Sequence, residues 1–234
     1  NATGGSQHGS ATVGIGMGAG SAITTGVNNI AIGHQTMQST TIGNENTAVG
    51  YQALFTNVDG DGNVAIGRCA LRTLEPADGA SKDIAIGTNA GYALTTGTAN
   101  VIIGYAAGDA MTTTAKTVLV GTDAGTAINS ADADGTIAIG YEAAASLTEG
   151  QYNVFVGYTS GNNTTTGDSN TVVGYQALGS SAASAHTGNS NTAVGYRALY
   201  DIEGVGASNT ALGKDALLAL TTGGNNVAVG VGTG

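Results

Sequence analysis

The chain has 234 residues, of which 40 are glycine, one is proline and none is tryptophan, and only 9% are charged. Abundant glycine without a three-residue period excludes collagen, while an apolar fraction of 41% lifts the chain out of the disordered class. A net charge of −10 with six Lys and Arg leaves no cationic footprint for nucleic acid or an anionic membrane surface, and Cys69 alone can form no intrachain disulfide.

No apolar run reaches the ~18 residues of a membrane-spanning helix, so no membrane insertion is expected. Asn1 and the mid-motif end at Val229, Gly230, Val231 and Gly232 read as the ends of a fragment.

After a lead-in of residues 1–11, one pattern repeats to the end of the chain. Its marker is a glycine that follows an aliphatic residue, at Gly16, Gly33, Gly50, Gly67, Gly87, Gly104, Gly121, Gly140, Gly157, Gly174, Gly195, Gly213 and Gly230. Eight of the twelve intervals are 17 residues, and the others are 20, 19, 21 and 18. Self-similarity at a fixed period is the signature of stacked coils. The expected fold is all-β, one repeat domain over 1–234: a parallel β-solenoid or β-roll of about thirteen 17-residue coils, with residues 12–234 forming the coils. The longer intervals read as insertions at 72–82, 129–135, 179–189 and 200–206.

Within each coil, the residues one and three before the glycine are aliphatic or β-branched, as in Ile30 and Ile32, Thr47 and Val49, or Ile84 and Ile86. Period-two spacing puts this pair on one face of a short strand. The residue between them is usually Ala, sometimes Ile102, Leu119, Phe155 or Val172, so the opposite face is apolar too. A strand buried on both faces is expected. Four before the glycine stands Asn29, Asn46, Asn63, Asn100, Asn153, Asn170, Asn191, Asn209 or Asn226, which stacking would align into an amide ladder. Thr-Thr-Gly often closes the coil, at Gly26, Gly97, Gly167 and Gly223, and is expected to supply positive φ for a tight turn. A lone coil buries too little to offset the ordering of 17 residues, so a parallel homo-oligomer, most simply a homotrimer, is expected.

The repeat Asn46-Thr47-Ala48-Val49-Gly50-Tyr51-Gln52-Ala53-Leu54 returns as Asn170-Thr171-Val172-Val173-Gly174-Tyr175-Gln176-Ala177-Leu178 and again from Asn191 to Leu199. It resembles the repeats of bacteriophage tail-fibre proteins. The strand portion is similar to the shorter repeat of trimeric autotransporter adhesin heads. The resemblance implies a trimeric left-handed β-roll shaft, outside the cell on a virion tail fibre, that recognises a host cell-surface polysaccharide or glycan. The alternative is a bacterial surface adhesin or extracellular filament of the same fold.

No enzyme, catalytic residue, cofactor or metal is expected. Tyr141, Tyr158, Tyr175 and Tyr196 follow the marker glycine in four consecutive coils and are the candidate binding residues, since an aromatic stripe can stack on sugar rings. The competing reading is a ladder that packs on itself. Asp123 and Glu142 share one position in consecutive coils, at about the 5 Å spacing of a retaining glycosidase, but an insertion separates them and an exposed carboxylate pair explains them. Arg197 over Asp215 reads as a ladder ion pair. Asp59, Asp61, Asp132 and Asp134 resemble fragments of calcium loops without the closing Glu, so turn chemistry accounts for them. His8, His34 and His186 stand too far apart to assemble a centre. Threonine turns raise ice binding as a separate possibility, which the four insertions disfavour.

Overall fold

The computed structural model describes residues 12–76, 79, 81–180, 185–202 and 204–234. The lead-in 1–11, with His8, lies outside them, as do parts of the insertions 72–82, 179–189 and 200–206. The chain divides into two compact units, Asn1–Lys116 and Thr117–Gly234.

The first unit stacks six three-residue strands: β1 (Val13–Ile15), β2 (Ile30–Ile32), β3 (Thr47–Val49), β4 (Val64–Ile66), β5 (Ile84–Ile86) and β6 (Val101–Ile103). The second stacks β7 (Val118–Val120), β8 (Ile137–Ile139), β9 (Val154–Val156), β10 (Thr171–Val173), β11 (Thr192–Val194), β12 (Thr210–Leu212) and β13 (Val227–Val229). Within each unit every strand pairs in parallel with the next, position for position, as in Thr47↔Val64 and Thr171↔Thr192. The expected parallel β-solenoid is therefore the fold. The longer intervals keep this register. Residues 129–135 hold a short 3-10 turn, Ala131–Ala133, capped by Ser130.

Backbone hydrogen bonding does not stop where the strands stop. Gln52 N–H donates to His34 of the preceding coil at 3.0 Å, Leu54 N–H donates to Ala70 of the following coil at 3.0 Å, and Thr24 N–H to Thr41 at 2.9 Å. The curled part of the coil thus spends its polar groups along the stack, as a strand would, and leaves few of them to bury unpaired. To curl this tightly, the chain visits the left-handed region two and four residues after the marker glycine and five before the next. Gln52 (φ 52°), Leu54 (φ 53°), Asp123 (φ 56°), Arg197 (φ 52°) and Tyr152 (φ 59°) are examples. Each such L-residue costs about 1–2 kcal/mol, which the axial hydrogen bonds and the buried interior offset.

A single chain closes one of the two apolar strand faces and leaves the other for a partner. The central strand residues (Ala31, Ala48, Ala65, Ile102, Leu119, Phe155, Val172) are fully enclosed, while the flanking aliphatics face outward. The central residue goes inside with the following Ala and the Leu, Met or Ile of the curl. One expectation is corrected here: the closing glycines at Gly26, Gly97 and Gly167 are not positive-φ turns, and among the four only Gly223 is, at φ 116°. At the other three a Cβ would run into a carbonyl of the next coil, that of Gly43, Thr114 and Gly188 respectively. Glycine is there to let one coil approach another.

Candidate functional site

The asparagine ladder forms, and it is more fully bonded than an amide stack alone. Asn29 Oδ1 accepts the backbone N–H of Asn46 at 3.0 Å, and Asn46 Oδ1 accepts that of Asn63 at 2.9 Å. The second unit repeats this through Asn153, Asn170, Asn191, Asn209 and Asn226 at 2.8–3.0 Å. Several of these amides also donate to the carbonyl of the next coil's closing glycine, as Asn29 does to Gly43 and Asn153 to Gly167, both at 2.7 Å. A second column two residues earlier went unread in the sequence. There Asp61 Oδ1 accepts Asn44 N–H at 2.6 Å, and Asp168 Oδ1 accepts Gln151 N–H at 2.8 Å. Asp61 is thus a rung of the stack.

One rung of the main ladder is an acid. Asp83 accepts Asn100 N–H at 2.8 Å through Oδ1, while its buried Oδ2 has no hydrogen-bond partner. Burial pushes its pKa up from 3.8 to about 7, against the Asn100 hydrogen bonds that lower it. Because the folded value is the higher, the chain is protonated in both states below about pH 3.8 and pays no penalty there. As pH rises towards 7 the unfolded chain ionises first, so stability falls across that window and levels off above it. At about 1.4 kcal/mol per pH unit, the loss is on the order of a few kcal/mol. Asp83→Asn restores the missing donor and is expected to remove this slope, raising stability at pH 8 and leaving it nearly unchanged at pH 4. Urea unfolding of both proteins over that range checks it; parallel pH profiles would refute it.

The residues after the marker glycine form stacks of rings and cations. Tyr141, Tyr158, Tyr175 and Tyr196 lie with centroids 5.1, 5.3 and 5.3 Å apart and planes within 17°, 10° and 5°. Lys214 Nζ stands 5.9 Å from the Tyr196 centroid. The rings cover one another's faces, and 41–48% of each residue stays exposed along its outer side. This is the self-packed ladder; it presents ring edges rather than the open faces that stack on a sugar. In the first unit the same column carries His34 on Tyr51 at 5.5 Å, with the Arg68 guanidinium 5.8 Å from the Tyr51 centroid. A parallel column sandwiches Arg72 between Phe55 and Tyr92, at 5.2 and 5.7 Å.

The other candidates fall into place around these columns. Glu142 N–H donates to Thr122 at 3.0 Å, which puts Glu142 and Asp123 on adjacent coils, and the Glu142 carboxylate beside Tyr141 holds its phenol above the usual tyrosine range. The Arg197–Asp215 ion pair does not form. Arg197 lies 4.2 Å above the Tyr200 ring, and Asp215 pairs with Lys214 at 3.4 Å. Each finds a partner nearer in its own coil than across the stack. Asp132 N–H donates to Ser130 Oγ at 3.3 Å within the 3-10 turn, as turn chemistry implies. His186 is buried, with Nε2 3.3 Å from the Gly206 carbonyl, and desolvation lowers its pKa. The threonine hydroxyls of the turns donate along the axis, Thr95 to Thr112 at 2.9 Å and Thr148 to Thr165 at 3.2 Å, so they act as rungs rather than as a free array. Among the described residues no group of three His, Cys, Asp or Glu could hold a metal ion, and no helix is long and apolar enough to cross a membrane.

The remaining surface feature is apolar. The flanking strand residues Ile30, Ile66 and Ile84 in the first unit, and Ile139, Val173 and Leu212 in the second, are 36–46% exposed. They form two outward columns, bordered in the second unit by the tyrosine ladder. No family model, curated protein or solved structure matches this chain.

Proposed function

We propose that this chain is a shaft segment of a homotrimeric extracellular fibre that recognises a host-cell glycan, of the kind found in viral tail fibres. The observation that carries it is the pair of outward aliphatic columns on a strand whose other face is already closed. Fully burying an Ile, Val or Leu is worth about 1.5–3 kcal/mol, so covering these half-exposed side chains returns roughly 1 kcal/mol each. Summed over successive coils, that is a large fraction of a domain's stability. A partner that matches one side chain per coil over many coils must itself repeat at the coil spacing, and a parallel second copy does so by construction. The resemblance of the repeat to tail-fibre sequences supports the biological setting. Recognition falls to the edges and hydroxyls of Tyr141, Tyr158, Tyr175 and Tyr196 and to the insertions, which escape the packing pattern.

Light scattering is expected to give three times the chain mass of 22.7 kDa. Replacing Ile139 and Val173 together with Asn should reduce that mass at low protein concentration. A monomer would sink the assembly. A trimer that retains no surface polysaccharide from any candidate host would leave a shaft without recognition.

A further inference from the structure

The tyrosine ladder has a chemical property that binding does not use: four phenols are held ring against ring. Their centroids repeat at 5.1–5.3 Å from Tyr141 to Tyr196, with near-parallel planes. Free phenols oxidised one at a time must diffuse together before they couple; here the neighbour is already in place, which is the advantage of proximity. The rings are 41–48% exposed, so an oxidant can reach their outer edges and the rings have room to tilt. Oxidising a phenol near neutral pH also requires somewhere for its proton to go. Tyr141 has an acceptor at hand in the adjacent Glu142 carboxylate, whose influence already raises the phenol's pKa.

We propose that Tyr141, Tyr158, Tyr175 and Tyr196 form an oxidative cross-linking site, at which a haem-peroxidase-class oxidant with hydrogen peroxide joins rings of adjacent coils as dityrosine. Each of two neighbouring phenols loses one electron to the oxidant and its hydroxyl proton, to Glu142 at Tyr141 and to water elsewhere. The two phenoxyl radicals then form one carbon–carbon bond between their ortho positions. The two ortho hydrogens shift back to the oxygens and restore both phenols. The two electrons and two protons reduce hydrogen peroxide to two waters, so two tyrosines and one peroxide give one dityrosine and two waters. The product fastens coil to coil by a covalent bond parallel to the hydrogen-bond ladders, reinforcing the stack against unzipping.

The test is made on the full chain with peroxidase and hydrogen peroxide, read by dityrosine fluorescence and by mass spectrometry of the cross-linked peptides. Tyr158→Phe with Tyr196→Phe breaks all three phenol pairs while keeping every ring. Tyr105→Phe with Tyr152→Phe removes two more exposed tyrosines outside the stack, at 58% and 66%. The wild type and the second variant should give dityrosine, on chains that still run at 22.7 kDa under denaturing conditions, and the first variant should lose it. Should the first variant fold poorly, mapped links in the wild type decide alone: Tyr141–Tyr158, Tyr158–Tyr175 or Tyr175–Tyr196 support the site. Coupling at Tyr105 or Tyr152, links only between chains, or no dityrosine under conditions that couple free tyrosine would overturn it.

Discussion

Gly174→Ala is expected to break the coil stack, at a cost beyond the roughly 4–5 kcal/mol that ordinary point substitutions rarely exceed. Two effects combine. Gly174 sits at φ 140°, a backbone region that is essentially glycine's alone. An added Cβ would also land on the carbonyl of Gly195, the marker glycine of the next coil. That obstacle is backbone, so no rotamer relieves it, and moving it would shift the register of β11. The same relation holds for Gly33 over Gly50, Gly50 over Gly67 and Gly140 over Gly157, so the marker glycines form a column in which each one admits the next. Stability in a repeat array is mostly nearest-neighbour. The damage should therefore be local, with amide protection lost first in the coils of β9 to β11. Gly204→Ala is the control: φ is 58° and nothing lies within 4 Å of the added carbon, so it should cost only about 1–2 kcal/mol. Urea unfolding with hydrogen exchange separates the two cases, and comparable losses in both variants would refute the stacking role.

The second large effect lies inside the coil. Phe155, Ile102 and Leu119 are the bulky central strand residues, and their coils place Gly161, Gly108 and Gly125 four residues after the marker. Coils with Ala48, Ala65, Ala193 or Ala211 at the centre place Leu54, Leu71, Leu199 or Leu217 there instead. In these seven coils the interior holds one large group or the other at these two positions. A Cβ on Gly161 would meet the Phe155 ring itself, and one on Gly125 would lie 2.9–3.0 Å from Ile128 and Leu119. Phe155→Ala alone should cost about 3–5 kcal/mol as a cavity, and Gly161→Leu alone should prevent that coil from closing. Together they recreate the Ala–Leu arrangement of the coils of Ala48, Ala65, Ala193 and Ala211 and should recover most of the stability. A double-mutant cycle by denaturant unfolding measures this coupling; additive losses would show that the two positions do not share one volume.

The period, the strand positions and the asparagine ladder were legible because each depends on spacing alone. Parallel in-register stacking puts the same position of every coil in one column, so a residue type repeated at one position must meet itself. Compensation between Phe155 and Gly161 was also written in the sequence, as an exchange between two positions six residues apart, but it becomes meaningful only once both are known to point inward.

Other features required the tertiary structure. Which strand face is interior turned on the direction in which the coil curls, which encloses the central residue whether it is Ala48 or Phe155 and leaves the flanking pair outside. The left-handed conformations at Gln52, Leu54 and Arg197 carry no glycine to announce them, because axial hydrogen bonds hold them in place. Arg197 and Asp215 occupy one column yet choose Tyr200 and Lys214, partners within their own coils. The sequence by itself determined that coils repeat and which residues line up. The tertiary structure decided which columns face inward, which face out, and that the tyrosines spend their faces on one another. Spacing sets alignment along the stack, whereas the curl of each coil sets direction.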